Sequence, residues 1–125
     1  MNIIYGIGTD IVDISRIKKS IKKKNFFSRV YSSHEIKKKP STINLYSYYA
    51  KRFAAKEAFS KALGTGISEG ISFNEISIFN DKKGKPYIKL IGKTKKIIRK
   101  IIKKRKIFLS LSDEKKYAMA IVIIS

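Results

Sequence analysis

The residues able to do chemistry are few and unevenly placed. Among 125 residues there are nine carboxylates, one histidine and no cysteine, so a zinc site or a Ser-His-Asp triad lacks its parts. Two carboxylates stand out by their surroundings. Asp10 lies in the apolar, β-branched run 3–12, and Glu57 lies among alanines with Lys61 one helical turn beyond it. A buried, unpaired carboxylate is costly, so two of them need a cation, a basic partner or a hydrogen-bond network. Magnesium commonly takes one or two protein carboxylates and fills its octahedron with waters and phosphate oxygens. Two carboxylates beside basic groups therefore suit a diphosphate site. Spacing alone fits a plainer arrangement equally, with Asp10 capping a turn and Glu57 paired with Lys61 or Arg52.

The element that must carry Glu57 is a long helix. Residues 51–63 contain no Pro or Gly and are rich in helix formers, and Gly64 follows as a C-terminal stop. Ala50, Ala54, Ala58 and Ala62 recur every fourth residue, which predicts a stripe small enough for a neighbour to approach closely. Ser41 or Thr42 is the expected cap, Leu45, Tyr46, Tyr49 and Phe53 are expected in the core, and Gly64-Thr65-Gly66 breaks the chain.

The run 3–12 suits a buried strand. Its Gly6-Ile7-Gly8 is not a dinucleotide loop, because Ile11 stands where the third glycine belongs. Asp13 faces away from Asp10 in a strand and is expected to cap a helix whose stripe is Ile14, Ile17 and Ile21 and whose end is Asn25. Ser32 and Glu35 form a capping box that opens a short helix closed before Pro40. His34, in the first turn of that helix, reads as a surface residue. A strand over 73–79, a turn over 80–85 and a strand over 87–91 precede an amphipathic helix over 94–106, with Ile97, Ile98, Ile101 and Ile102 inward. Strands over 107–111 and 117–124 close the chain.

Length fits a single domain over 1–125, and 43% hydrophobic residues supply a core. No basic leader and no run of membrane-spanning length are visible, which predicts a soluble cytoplasmic protein without a membrane partner. The net charge of +20 favours encounters with polyanions, although lysine and isoleucine crowd the whole sequence as compositional drift would leave them. A basic nucleic-acid-binding module is the rival reading, supported by tyrosines and phenylalanines among the lysines. Against it, no RRM, KH, zinc-finger or helix-turn-helix pattern is present and most aromatics fall on core positions, so no specific nucleic acid is expected.

Several segments resemble the holo-acyl-carrier-protein synthases, the small phosphopantetheinyl transferases of bacterial fatty acid synthesis. They are Gly8-Thr9-Asp10-Ile11-Val12, Arg52-Phe53-Ala54-Ala55-Lys56-Glu57-Ala58 and Lys61-Ala62-Leu63-Gly64-Thr65-Gly66-Ile67. Asn80-Asp81, Gly84-Lys85-Pro86, Ser110-Leu111-Ser112-Asp113 and Tyr117-Ala118 continue the match in the family's order over nearly the whole chain. The retained Asp10, Glu57 and Lys61 argue against a catalytically dead homologue.

The resemblance implies an α+β fold, the 4'-phosphopantetheinyl transferase fold, with antiparallel strands packed against the long central helix. It implies coenzyme A as co-substrate, its diphosphate on a magnesium ion (Mg2+) held by Asp10 and Glu57. A serine hydroxyl of apo acyl carrier protein attacks the phosphorus bearing pantetheine, and adenosine 3',5'-bisphosphate leaves. Lys61 is then placed to meet a phosphate oxygen or protonate the departing group, and two bases fit, a metal-bound water or Glu57 acting through water. Arg52, Lys61 and Gly64 are implied contacts of coenzyme A, with Lys85-Pro86 near the nucleotide. Arg52 stands roughly 140° around the helix from Glu57, so it need not point into the same site, and its alternatives are a coenzyme A phosphate and a neighbouring subunit. The implied assembly is a homotrimer with shared active sites. The acidic acyl carrier protein is expected on the first helix, with Arg16 the nearest match and Lys19 and Lys23 beside it. One departure is Asp113, where many relatives carry histidine, so no role of that histidine transfers.

Overall fold

A computed structural model describes residues 3–64 and 70–125. Thr65, Gly66 and Ile67, expected as a break after the central helix and as part of the matching segment, lie outside the described residues. The chain orders as β1 (Gly6–Asp13), α1 (Ile14–Ser20), α2 (Lys24–Val30), α3 (Ser33–Lys37), α4 (Leu45–Leu63), β2 (Ile76–Asn80), β3 (Pro86–Leu90), α5 (Gly92–Ile102), β4 (Ile107–Asp113) and β5 (Tyr117–Ile124). A 3₁₀ turn at Phe73–Glu75 precedes β2. Strands β1, β5 and β4 form an antiparallel sheet in that order, and β2 and β3 form a separate hairpin. The α+β class and the helix packed on antiparallel strands are as the resemblance implies.

Helix α4 lies on the three-stranded sheet through its alanine stripe. Ala50, Ala54 and Ala58 are fully buried, and Ala62 nearly so. The strand beneath is as small as the stripe. A Cβ on Gly6 would sit 1.8 Å from the Ala62 carbonyl oxygen, and one on Gly8 would sit 1.9 Å from that of Ala58. Gly6-Ile7-Gly8 is thus a landing strip for a helix backbone. The inward residues of the partner strand complete the contact, with Ala118, Ala120, Val122 and Ile124 all fully buried.

Several expected boundaries are corrected. The strand expected to be buried over 3–12 is β1, and only one of its faces is covered, because α4 packs on a single side and leaves Ile7 and Ile11 exposed. Asn25 does not end the first helix. Helix α1 stops at Ser20, and Asn25 is the second residue of α2, which forms because Phe26, Phe27 and Val30 pack with Tyr31, Tyr49 and Phe53. Neither Ser41 nor Thr42 caps α4, which starts at Leu45 after Asn44 and has no side-chain cap, the Thr42 carbonyl instead accepting from the Leu45 N–H. Phe73 to Glu75 is a 3₁₀ turn rather than strand.

The last helix begins two residues early and ends four residues short of its expected span. Glu75 reaches its first turn and accepts from the Thr94 N–H and hydroxyl, so a distant carboxylate supplies the missing cap. At the other end Lys103 takes a positive φ of 56°, and Arg99 donates to the carbonyls of Lys103 and Arg105. Other local signals hold as expected. Asp13 caps α1 through the Ser15 N–H, Ser32 and Glu35 complete a capping box, and Gly64 ends α4 at φ 79°.

Candidate active site

Asp10 belongs to the inward face of β1, level with Ala120 on β5. Gly8 and Ala120 keep this part of the sheet low, so α4 passes close enough for its polar side chains to meet the strand. Lys61 uses that proximity. Its Nζ lies 3.3 Å from Asp10 Oδ1 and donates to the Thr9 carbonyl at 2.9 Å. The expected alternatives for Glu57, a pair with Lys61 or with Arg52, are not what the fold adopts. No hydrogen bond or ion pair ties Glu57 among the described residues.

Glu57 feels Asp10 electrostatically. Burial pushes its carboxyl above the usual range, the charge of Asp10 pushes it further, and Lys61 opposes both. Two carboxylates from separate elements thus converge with one lysine that compensates only in part. Among the described residues no group of three His, Cys, Asp or Glu forms an all-protein metal cage. Two acidic ligands fit magnesium, which retains waters and phosphate oxygens, better than they fit zinc.

Arg52 occupies another side of α4. Its guanidinium stacks 3.6 Å above the Tyr48 ring, donates to Asn80 Oδ1 at 3.1 Å and reaches the Tyr48 carbonyl at 3.4 Å. Among the described residues it has no carboxylate partner within ion-pair distance and its buried Nε has no acceptor, and burial pulls its pKa down. Asn80 leads into the turn where Asp81 accepts from the N–H groups of Lys83 and Lys85, so Arg52 and Lys85 belong to one corner of the molecule. Gly64 is exposed one turn beyond Lys61, at the end of α4.

The remaining expected residues separate cleanly. Asp13 is absorbed in capping, its carboxyl held below the usual range by the Ser15 hydroxyl and N–H. Asp113 sits 3.5 Å from Lys51. His34 is a partly exposed residue stacked on Phe79 at 3.5 Å. On α1, Arg16, Lys18 and Lys19 are exposed, and the helix starts directly after the strand that holds Asp10.

Sequence reasoning missed the pair Glu35 and Lys56, both fully buried, with Lys56 Nζ 2.8 Å from Glu35 Oε1. Glu35 was legible only as half of a capping box. A signal for Lys56 did exist. Tyr49, Arg52, Lys56, Phe59 and Leu63 follow a three-four spacing, so two cations stand on an apolar stripe, where burial demands partners.

A family model described as the 4'-phosphopantetheinyl transferase superfamily matches residues 6–122. A holo-[acyl-carrier-protein] synthase of Pelagibacter ubique is 53% identical over 123 residues, covering 97% of this chain and 96% of the relative. The crystal structure of holo-[acyl-carrier-protein] synthase from Neisseria meningitidis superposes with a TM-score of 0.88 at 39% identity, covering 98% of this chain and 99% of that one. The Helicobacter pylori synthase in complex with coenzyme A superposes with a TM-score of 0.76 at 36% identity, covering 95% and 99%.

Proposed function

This chain belongs to the 4'-phosphopantetheinyl transferase superfamily, among the holo-[acyl-carrier-protein] synthases, and from that premise we propose which of its residues perform the reaction. The enzyme transfers the 4'-phosphopantetheine group from coenzyme A to a serine of apo acyl carrier protein, giving holo acyl carrier protein and adenosine 3',5'-bisphosphate. The transfer serves fatty acid biosynthesis.

The observation that carries the assignment is the convergence of Asp10 and Glu57, from β1 and α4, beside Lys61. In our reading Asp10 and Glu57 would hold magnesium beside the diphosphate of coenzyme A, and the chemistry such an ion would supply is neutralisation of diphosphate charge and a better leaving group. Lys61 exchanges its contact with Asp10 for a phosphate oxygen once the carboxylate is engaged, and neutralises charge that grows as adenosine 3',5'-bisphosphate departs. Glu57 acting through a water is one base that fits the serine proton. Arg52 takes a phosphate of coenzyme A, and Lys85 and Gly64 line the same ligand. The acidic carrier docks on α1 at Arg16 and Lys19.

We further read the active unit as a homotrimer. The sheet face opposite α4 is apolar across all three strands: Ile7 and Ile11 on β1, Tyr117 and Met119 on β5, Phe108 on β4. Register places them side by side, Ile11 opposite Met119, and Ile7 and Phe108 both opposite Ile123. Such a face is an association surface rather than a solvent surface. Arg52 and Glu57 address different sides of α4, which suits sites completed between neighbours. Mass spectrometry of an apo acyl carrier protein incubated with this enzyme, coenzyme A and magnesium tests the function. Each carrier gains the mass of one phosphopantetheine, and no gain would refute it.

A further inference from the structure

The fully buried pair of Glu35 and Lys56 has no part in the chemistry described above, yet Lys56 adjoins Glu57 in the chain. Lys56 Nζ makes three directed bonds: to the Val30 carbonyl at 2.6 Å, the Phe73 carbonyl at 2.9 Å and Glu35 Oε1 at 2.8 Å. Glu35 spends its remaining capacity on the chain. Its Oε1 also accepts from the Ser32 N–H at 2.9 Å, and its Oε2 accepts from the Ile78 N–H at 2.8 Å. All three protons of one ammonium and both oxygens of one carboxylate are thereby occupied. The pair joins the end of α2, the start of α3, the 3₁₀ turn and β2 to the middle of α4.

Helix α4 is therefore gripped from two directions. On the sheet side the grip is methyl groups against glycines, which fixes how close the helix comes, and the directional contact there comes from Lys61, a side chain more than half exposed. Lys56 lies about 160° around the helix from Ala58 and supplies fully buried directional contacts. A roll of roughly 20° would carry a carboxylate at the helix's outer radius through about 2 Å. Active sites lose about a hundredfold for a misplacement near 1 Å. Glu57, held by no hydrogen bond or ion pair among the described residues, depends on the roll of the helix for its distance to Asp10.

We propose that Glu35 and Lys56 are positioning residues that set the rotation of α4 and so hold Glu57 at ligand distance from the ion shared with Asp10. The inference rests on the metal reading of Asp10 and Glu57 given above. The same pair fixes β2 two residues before Asn80, the partner of Arg52, and so steadies the phosphate corner as well.

The experiment measures coenzyme A binding by calorimetry, with no turnover, in magnesium and again in EDTA; the ratio of the two Kd values is the metal's contribution. Lys56→Met and Glu35→Gln are compared with Ile98→Ala, a cavity in α5, which contributes no residue to the site. All are measured well below their Tm. Lys56→Met is expected to shrink the ratio about tenfold or more, as loss of support behind a metal ligand does, while Ile98→Ala keeps it despite a lower Tm. A full ratio in folded Lys56→Met, or an equal loss in Ile98→Ala, overturns the proposal. Where Lys56→Met does not fold, Glu35→Gln decides on the same criterion, and failure of both to fold marks the pair as a folding determinant and overturns it too. Glu57→Gln run alongside separates the two readings. A ratio that survives in Glu57→Gln refutes the metal site itself, whereas its loss there with persistence in Lys56→Met refutes only the positioning role.

Discussion

Lys61 pairs with Asp10, at 3.3 Å, rather than with Glu57 on its own helix. The cation thus joins helix to strand, and Glu57 is left available. Lys61 remains more than half exposed while Asp10 is largely covered, so the pair contributes little to stability and can open for a ligand. Asp10→Ala is expected to lower phosphopantetheine transfer about a hundredfold or more at saturating magnesium, with the fold retained by circular dichroism. Transfer at the wild-type rate would remove Asp10 from the site.

Glu57 links function to pH. Its carboxyl pKa is raised in the folded state, by burial first and by Asp10 second. Folding then favours the protonated form, so that contribution to stability is complete below the ordinary carboxyl pKa and is lost as pH rises through the raised value. Above the raised value the ionised Glu57 opposes folding in the metal-free protein. Glu57→Gln is expected to melt higher than wild type near neutrality, to lose that advantage in acid, and to be inactive. Thermal scans across pH in EDTA check this, and a lower Tm at every pH would contradict it.

The approach of α4 to β1 sets a steric prediction. Gly8→Ala drives a methyl group against the Ala58 backbone, where no flexible side chain can give way. Destabilisation of about 3 kcal/mol is expected. Urea unfolding measures it, and a change within experimental error would show that the helix can lift off the strand without cost.

The carrier surface makes its own prediction. Arg16→Glu combined with Lys19→Glu is expected to raise the KM for acyl carrier protein roughly tenfold or more and to leave coenzyme A binding unchanged. Equal losses for both ligands would point to damage at the site instead.

The proposed trimer with shared sites predicts complementation. Glu57→Gln and Arg52→Ala are each expected to be inactive, but subunits mixed in equal amounts and reassembled as trimers should recover about a quarter of the sites, those pairing two intact halves. Ile11→Glu, on the outer sheet face, should yield monomers by light scattering. Silence of the mixed trimers would place both residues in one subunit's site.

What the sequence by itself determined is everything written in near neighbours. The alanine spacing from Ala50 to Ala62 specifies the stripe on which β1 lands, Asp13 and Ser32 announce their caps, and Gly64 ends the central helix. The segments around Asp10 and Glu57 also carried the family resemblance, because those residues stand in short contiguous motifs. Only the tertiary structure decided which charges meet. Lys61 takes Asp10, fifty-one residues distant, and Lys56 takes Glu35, twenty-one residues distant. The same holds for helix limits, since Glu75 extends α5 from across a turn and the aromatic cluster folds α2 where Asn25 looked like an end. Periodicity is a property of a segment and survives in the one-dimensional record. Charge pairing and burial depend on distances through space, which the folded chain sets only when remote elements pack.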